Sequence, residues 1–336
     1  MPRDRAGEDS RAMLYPFTFQ PIFKERVWGG RNLERLYHKA LPPRAPIGES
    51  WEISDRPGDV SVIANGPLAG KNLRWLMEHH ERDLLGDDPP QGGRFPLLIK
   101  ILDAEDKLSL QVHPPAHKAA ELGGEPKTEM WYITRAQAGA ALYAGLKRGV
   151  TRDEFERRVR DGSVAGCFHH LPVRAGDVMF LPSGRVHAIG AGLVLFEIQQ
   201  NSDTTYRVFD WNRAGMDGKP RELHVAQSLA SIDFDDFEPG LVASPFATSG
   251  LCRIRALANG PLFKTSEFRA ISATAILFRP SHMRIIGVVE GKVIVAGADG
   301  GKAELAAGGF CLVPACVRFE IMAEADARFL LTEPGA

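Results

Sequence analysis

Lys107-Leu108-Ser109-Leu110-Gln111-Val112-His113-Pro114-Pro115 and, a short polar connection later, Lys127-Thr128-Glu129-Met130-Trp131-Tyr132 are the two most informative runs in this 336-residue sequence. Side chains of a β-strand alternate between its faces. In the first run Leu108, Leu110 and Val112 share one face, and Lys107, Ser109, Gln111 and His113 share the other. In the second, Lys127, Glu129 and Trp131 fall together. A half-exposed strand commonly turns Lys, Glu and Thr to water. An amide, an imidazole and a carboxylate in this order read instead as the lining of a metal pocket with a basic neighbour.

Outward from these runs the chain is a series of short strands. Residues 95–102 are apolar apart from Lys100, the pattern of a buried strand, and 140–146, 178–181, 186–190 and 193–198 read as further strands divided by Gly and Pro turns. This predicts a mainly β chain of sandwich or jelly-roll type. Helices are expected over 31–37, 72–85, 117–122 and 151–161, the last opened by Thr151 with Glu154 three residues on. Residues 27–30 read as a turn and 61–64 as a strand. Beyond residue 193 one parity carries Glu197, Gln199, Asn201, Asp203, Thr205 and Arg207. A strand face of that kind is costly to bury unless it lines a polar pocket.

Residues 1–13 read as a disordered tail, 14–238 as a β-domain holding the motifs together with N-terminal strands and short helices, and 239–336 as a second β-domain. Gly176-Asp177-Val178-Met179-Phe180-Leu181-Pro182 is echoed by Gly308-Gly309-Phe310-Cys311-Leu312-Val313-Pro314, so one β-fold is expected twice. Cys316-Val317-Arg318 stands where Arg185-Val186-His187 stands in the first copy, and the second copy is read as lacking metal ligands.

Lys+Arg at 41 against Asp+Glu at 42 gives no push towards nucleic acid or membrane surfaces. There is no secretory h-region and no apolar run of transmembrane length. Cys167, Cys252, Cys311 and Cys316 form no CxxC pair, which reads as a reduced cytoplasmic protein with thiols serving as small core hydrophobes. Among the ten histidines, His79 and His80 are placed on a helix surface, whereas His113 and His187 sit at strand ends beside turns.

Gln111, His113, Glu129 and His187 make an all-N/O ligand set. It suits zinc with one position left for water or substrate, and also Mn²⁺, Co²⁺ or Fe²⁺. Two histidines and a carboxylate on a jelly roll equally fit a non-haem oxygenase. The amides and carboxylates of 197–207 suit a polyhydroxy ligand, and Lys100, Lys127, Arg207 and Arg213 supply charge for a phosphate.

Together with Pro182-Ser183-Gly184-Arg185-Val186-His187-Ala188-Ile189-Gly190 and the 197–208 run, the two opening motifs resemble the type I mannose-6-phosphate isomerases in their short bacterial form. The similarity covers residues 14–230 with specific motifs and the C-terminal third only in general character. It implies two cupin-type jelly rolls and one zinc per chain on Gln111, His113, Glu129 and His187. It implies interconversion of mannose 6-phosphate and fructose 6-phosphate, for which chemistry requires a cis-enediolate, and the chain is expected to be a monomer or small homo-oligomer. Ser109, Lys127 and Arg213 or Arg207 fall near the phosphate, and Lys100, Glu197, Asp203 and Arg207 at the sugar. The base is Glu197 or a zinc-bound hydroxide. An oxygenase on a cupin fold and a non-catalytic sugar-binding cupin are the competing readings.

Overall fold

The polar motifs lie on two facing antiparallel sheets. In the computed structural model, which describes residues 13–298 and 300–335, a six-stranded sheet runs in the order Ile22–Gly30, Ile47–Ile53, Leu97–Ala104, Leu193–Gln200, Glu129–Ala136, Val178–Leu181. A five-stranded sheet runs Tyr206–Phe209, Leu110–Val112, His187–Ile189, Ala141–Leu146, Phe168–Pro172. Leu102, Trp131, Met179 and Leu195 of the first sheet meet Leu142, Ala144 and Ile189 of the second in one buried cluster. Burial of each Leu, Ile or Met side chain in it contributes about 1.5–3 kcal/mol.

These sheets belong to a compact unit made of residues 22–51 and 97–243. Residues 13–21, 52–96 and 244–335 form a second unit. Its six-stranded sheet runs Ala247–Ser249, Cys252–Asn259, Phe263–Ala270, Arg328–Pro334, Arg284–Glu290, Phe310–Val313. Its four-stranded sheet runs Thr274–Phe278, Phe319–Ala323, Lys292–Gly297, Lys302–Ala306. Numbered from Leu97–Ala104 in one unit and from Phe263–Ala270 in the other, eight strands take the orders 1-8-3-6 and 2-7-4-5 in both. Val178–Leu181 and Phe310–Val313, which echo each other in sequence, are both the sixth. The third strand opens with Glu129 in one unit and with Arg284 in the other.

The units are discontinuous in sequence. Residues 14–21 and 52–96, read above with the strands that follow them, pack with the C-terminal strands instead. Phe17 exchanges backbone hydrogen bonds with Leu312, and Ala315 donates to the carbonyl of Leu84 (2.9 Å) at the end of the helix Leu73–Leu85. The tail expectation lies outside the described residues except for exposed Met13.

Several local expectations change. Residues 27–30 are not a turn but the end of Ile22–Gly30, whose register shifts after Lys24 and again after Glu25. A β-carbon at Gly29 would stand 2.4 Å from the backbone nitrogen of Gly48, so glycine is needed for that approach. Residues 61–64 form only isolated bridges at Val62 and Ile63. Cys252–Asn259 and Phe263–Ala270 escaped the reading because Arg253, Arg255, Glu267 and Arg269 interrupt their apolar pattern. The helix starts hold: Asn72 accepts from the Trp75 N–H and Thr151 from the Glu154 N–H. His80 is buried rather than on a helix surface. Cys316 is exposed, and Cys167, Cys252 and Cys311 are buried.

Candidate metal centre and active-site cavity

The polar run 193–208 is not one strand. Its first ladder stops at Gln200, and the chain resumes at Tyr206 in the opposite sheet. The Gln199 amide N–H groups make this corner by donating to the carbonyls of Gln200 and Ser202, both at 2.7 Å. Glu197 therefore stands in one sheet, between Lys100 and Trp131, while Arg207 stands in the other, opposite Gln111.

Strand register assembles the rest. Gln111 lies between Arg207 on one neighbouring strand and His187 on the other. Glu129 opens its strand opposite Gln199 and Leu181. After Leu181 the chain crosses between the sheets and returns as His187. Gly184 makes that crossing at φ +95°, and its N–H donates to the His113 carbonyl at 2.9 Å. Arg185 pins the crossing by donating to both Asp236 carboxylate oxygens and to the Phe180 carbonyl.

His113, Glu129 and His187 converge there, each about 1% exposed. His113 Nε2 is 3.5 Å from Glu129 Oε2, and His187 Nε2 is 3.3 Å from Glu129 Oε1. The outer ring nitrogens are committed: Nδ1 of His113 donates to the Thr204 carbonyl (2.8 Å) and Nδ1 of His187 to the Arg185 carbonyl (2.9 Å). Both Nε2 lone pairs thus face the carboxylate. His113 Nε2 and both Glu129 oxygens lack a hydrogen-bond partner, and of the two oxygens Oε2 is ion-paired with Lys127 Nζ at 3.1 Å. Buried acceptors facing one another are unfavourable without a cation, and carbonyl-anchored histidines are how metal ligands are oriented. The donor atoms lie within 4.8 Å of one another, so the residues present fit a small divalent ion.

Gln111 adjoins the cluster, its Nε2 3.2 Å from His187 Nε2 and its Oε1 accepting from Ser109 Oγ (3.3 Å). A half-turn of the amide presents the oxygen inward and an N–H to Ser109. Burial, aided by Lys127, pushes the His113 imidazole down to about 4, and burial lowers His187 as well. Both rings are therefore neutral near pH 7, as ligands must be. Burial pushes the Glu129 carboxyl up, but the Lys127 ammonium 3.1 Å away outweighs it and holds it well below the usual range.

From Glu129 a row of alternating charge runs across the six-stranded sheet. Lys127 Nζ is 4.0 Å from Glu197 Oε1, and Lys100 Nζ is 3.2 Å from the same oxygen and 3.7 Å from Glu49 Oε2. Trp131 Nε1 donates to Glu197 Oε2 (3.0 Å), and Arg26 Nε donates to Glu49 Oε1 (2.7 Å). Burial pushes the Glu49 carboxyl up, but Lys100 and Arg26 outweigh it and hold it at about 2.

A cavity of about 550 Å³ opens beside this row. Of the residues predicted from sequence, Lys100, Ser109, Gln111, Lys127, Glu197, Asp203 and Arg207 form its wall, with His113, Glu129 and His187 grouped beside Gln111. Arg213 is in neither group. Its guanidinium is engaged by Asp210, Asp106 and the Lys107 carbonyl. Arg221, which the sequence reading missed, lines the cavity while donating twice to Asp210 at 2.6 Å. Glu49 and Arg26 were also missed, although an acid sharing strand parity with Trp51 and Ile53 was a usable signal.

Fold and site together describe a mainly β enzyme whose charged cavity adjoins a cluster able to hold a metal ion. The family model for the catalytic domain of type I phosphomannose isomerase matches residues 17–128. The mannose-6-phosphate isomerase ManA of Bacillus subtilis (strain 168) is 42% identical over 223 residues, 65% of this chain and 68% of that one. The mannose-6-phosphate isomerase of Streptococcus mutans is 40% identical over 218 residues, 65% of this chain and 67% of that one. The crystal structure of the mannose 6-phosphate isomerase from Bacillus subtilis superposes with a TM-score of 0.85 at 30% identity, covering 95% of this chain and 99% of that one. The chain belongs to the type I mannose-6-phosphate isomerase family of enzymes.

Proposed function

We propose that the chain interconverts mannose 6-phosphate and fructose 6-phosphate with one zinc ion held by Gln111, His113, Glu129 and His187. The observation that carries this reading is the convergence of His113, Glu129 and His187 ligand atoms, within 4.8 Å of one another, beside a cavity lined by Lys100, Glu197 and Arg207. Zinc, when bound, supplies positive charge that polarises the C1 and C2 oxygens of the open-chain sugar. Glu197, held by Trp131 and Lys100, takes the C2 proton. The C2–H electron pair becomes the C1–C2 double bond, and the C1 carbonyl oxygen becomes an enediolate oxygen. A proton passes from O2 to O1, and protonated Glu197 returns its proton to C1, leaving a ketone at C2. Arg207 offers its planar fork of donors to the two enediolate oxygens.

Ser109, Lys127 and Arg221 take the phosphate, Arg221 standing in for Arg213 because it lines the cavity and Arg213 does not. Burial first, then neighbouring Arg221, lowers the Arg207 guanidinium, and like charges kept together suit an anion. Asp203 is exposed on the cavity wall, where it meets sugar hydroxyls. The strand orders 1-8-3-6 and 2-7-4-5 support two cupin-type jelly rolls, with metal ligands only in the unit holding residues 97–243. Among the described residues no helix is long and apolar enough to cross a membrane. Oxygenase and silent-binding readings leave the Lys100, Glu197 and Lys127 row without a use. A coupled assay with mannose 6-phosphate should show turnover that is lost with chelator and regained with Zn²⁺. Turnover insensitive to complete metal removal, or none at all, rejects the reading.

A further inference from the structure

We propose that Glu49 is a positioning residue for the isomerisation, holding the Lys100 ammonium in place beside Glu197. The inference rests on the reading of the cavity given above. Lys100 stands on Leu97–Ala104, flanked in the sheet by Ile47–Ile53 on one side and Leu193–Gln200 on the other. Each neighbour sends in one carboxylate, Glu49 at 3.7 Å and Glu197 at 3.2 Å. The Trp51 ring lies 5.0 Å from the same ammonium. An ammonium has three N–H donors and no acceptor. With charge drawing it from both sides, one donor direction remains for the cavity that Lys100 lines.

Glu49 is itself held on both oxygens. Arg26 Nε donates to Oε1 at 2.7 Å and Trp51 Nε1 to Oε2 at 2.6 Å. All seven residues of its strand are buried, where a carboxylate is costly without compensation. A purely stabilising pair needs only Arg26. The second cation is Lys100, and Glu49 also forms part of the cavity wall. Without Glu49, the ammonium retains one carboxylate and closes on Glu197. That withdraws a donor from the sugar oxygens and occupies the carboxylate that accepts the C2 proton.

The test compares wild type, Glu49→Gln, Glu49→Asp, Lys100→Met and the double variant Glu49→Gln/Lys100→Met, each measured for kcat, KM, metal content and Tm. Glu49→Gln should lower kcat at least tenfold, with KM within threefold and metal content unchanged. Added to Lys100→Met, the same substitution should change kcat less than threefold. Glu49→Asp keeps the charge but stands further from Lys100, and it should lower kcat threefold or more in a folded protein even if Glu49→Gln does not fold. Wild-type kcat in Glu49→Asp or Glu49→Gln overturns the proposal, as do independent losses in the double variant or wild-type kcat in Lys100→Met. A wild-type chain that does not turn over mannose 6-phosphate rejects the isomerase reading instead.

Discussion

Lys127 is a buried cation shared by two carboxylates. Burial alone would lower its pKa, but Glu129, Glu197 and Asp203 outweigh burial and keep it protonated. Replacing it with Met removes a charged hydrogen bond worth about 1.5–3 kcal/mol. KM for the phosphosugar should rise by ten- to a hundredfold with metal content unchanged; an unaltered KM places the phosphate elsewhere. Arg207 makes a different prediction. Lysine cannot reproduce its planar fork, so Arg207→Lys should retain metal and substrate binding and lose at least tenfold in kcat, about 1.4 kcal/mol. A raised KM at wild-type kcat would move Arg207 to the phosphate. Glu49 adds a pH dependence. Its folded value of about 2 lies below the ordinary 4.5, so the folded state binds the proton less readily. The stabilisation is full above pH 4.5 and disappears as pH falls towards 2, with a size on the order of 3 kcal/mol. Urea midpoints at pH 6 and pH 3 should differ more for wild type than for Glu49→Gln.

Among the elements, the crossing from Leu181 to His187 matters most to the metal cluster. It leaves one sheet beside Glu129 and enters the other beside Gln111. Arg185 fixes it twice, through its side chain to Asp236 and through its carbonyl, which accepts from His187 Nδ1. Arg185→Met frees the side-chain half of that anchor. Metal affinity should fall roughly ten- to a hundredfold, as for other residues supporting metal ligands, while the circular dichroism spectrum stays native. Unchanged affinity in a folded variant would show that the backbone alone holds His187.

Over the whole chain, two units share one strand order but differ in what the third strand presents at its start. In the unit holding residues 97–243 that residue is Glu129, facing two histidines; in the other it is Arg284, ion-paired with Glu333 at 2.7 Å. An arginine is always protonated and cannot act as a ligand. Residues 244–335 should therefore contribute no catalytic side chain. His282, half-exposed and 3.1 Å from Asp88, is the obvious imidazole there, and His282→Ala should leave kcat within a few fold. A larger loss at unchanged Tm contradicts this assignment.

Local patterns made much of this legible. The parity of Gln111, His113 and Glu129, the turn before His187, the cap at Thr151 and the apolar run into Leu97–Ala104 all depend on neighbours within a few residues. Alternation and capping are visible over that range. Other features required the packed chain. The corner at Gln199 breaks an unbroken polar parity into two sheets because side-chain amides compete with the strand ladder. Arg213 and Arg221 are indistinguishable as isolated arginines; both pair with Asp210, and only the folded chain shows that Arg221 lines the cavity. Glu49 meets Lys100 across strands about fifty residues apart, and residues 52–96 join the C-terminal strands. Such pairings are set by sheet order, which is a property of the folded core rather than of any local run of residues.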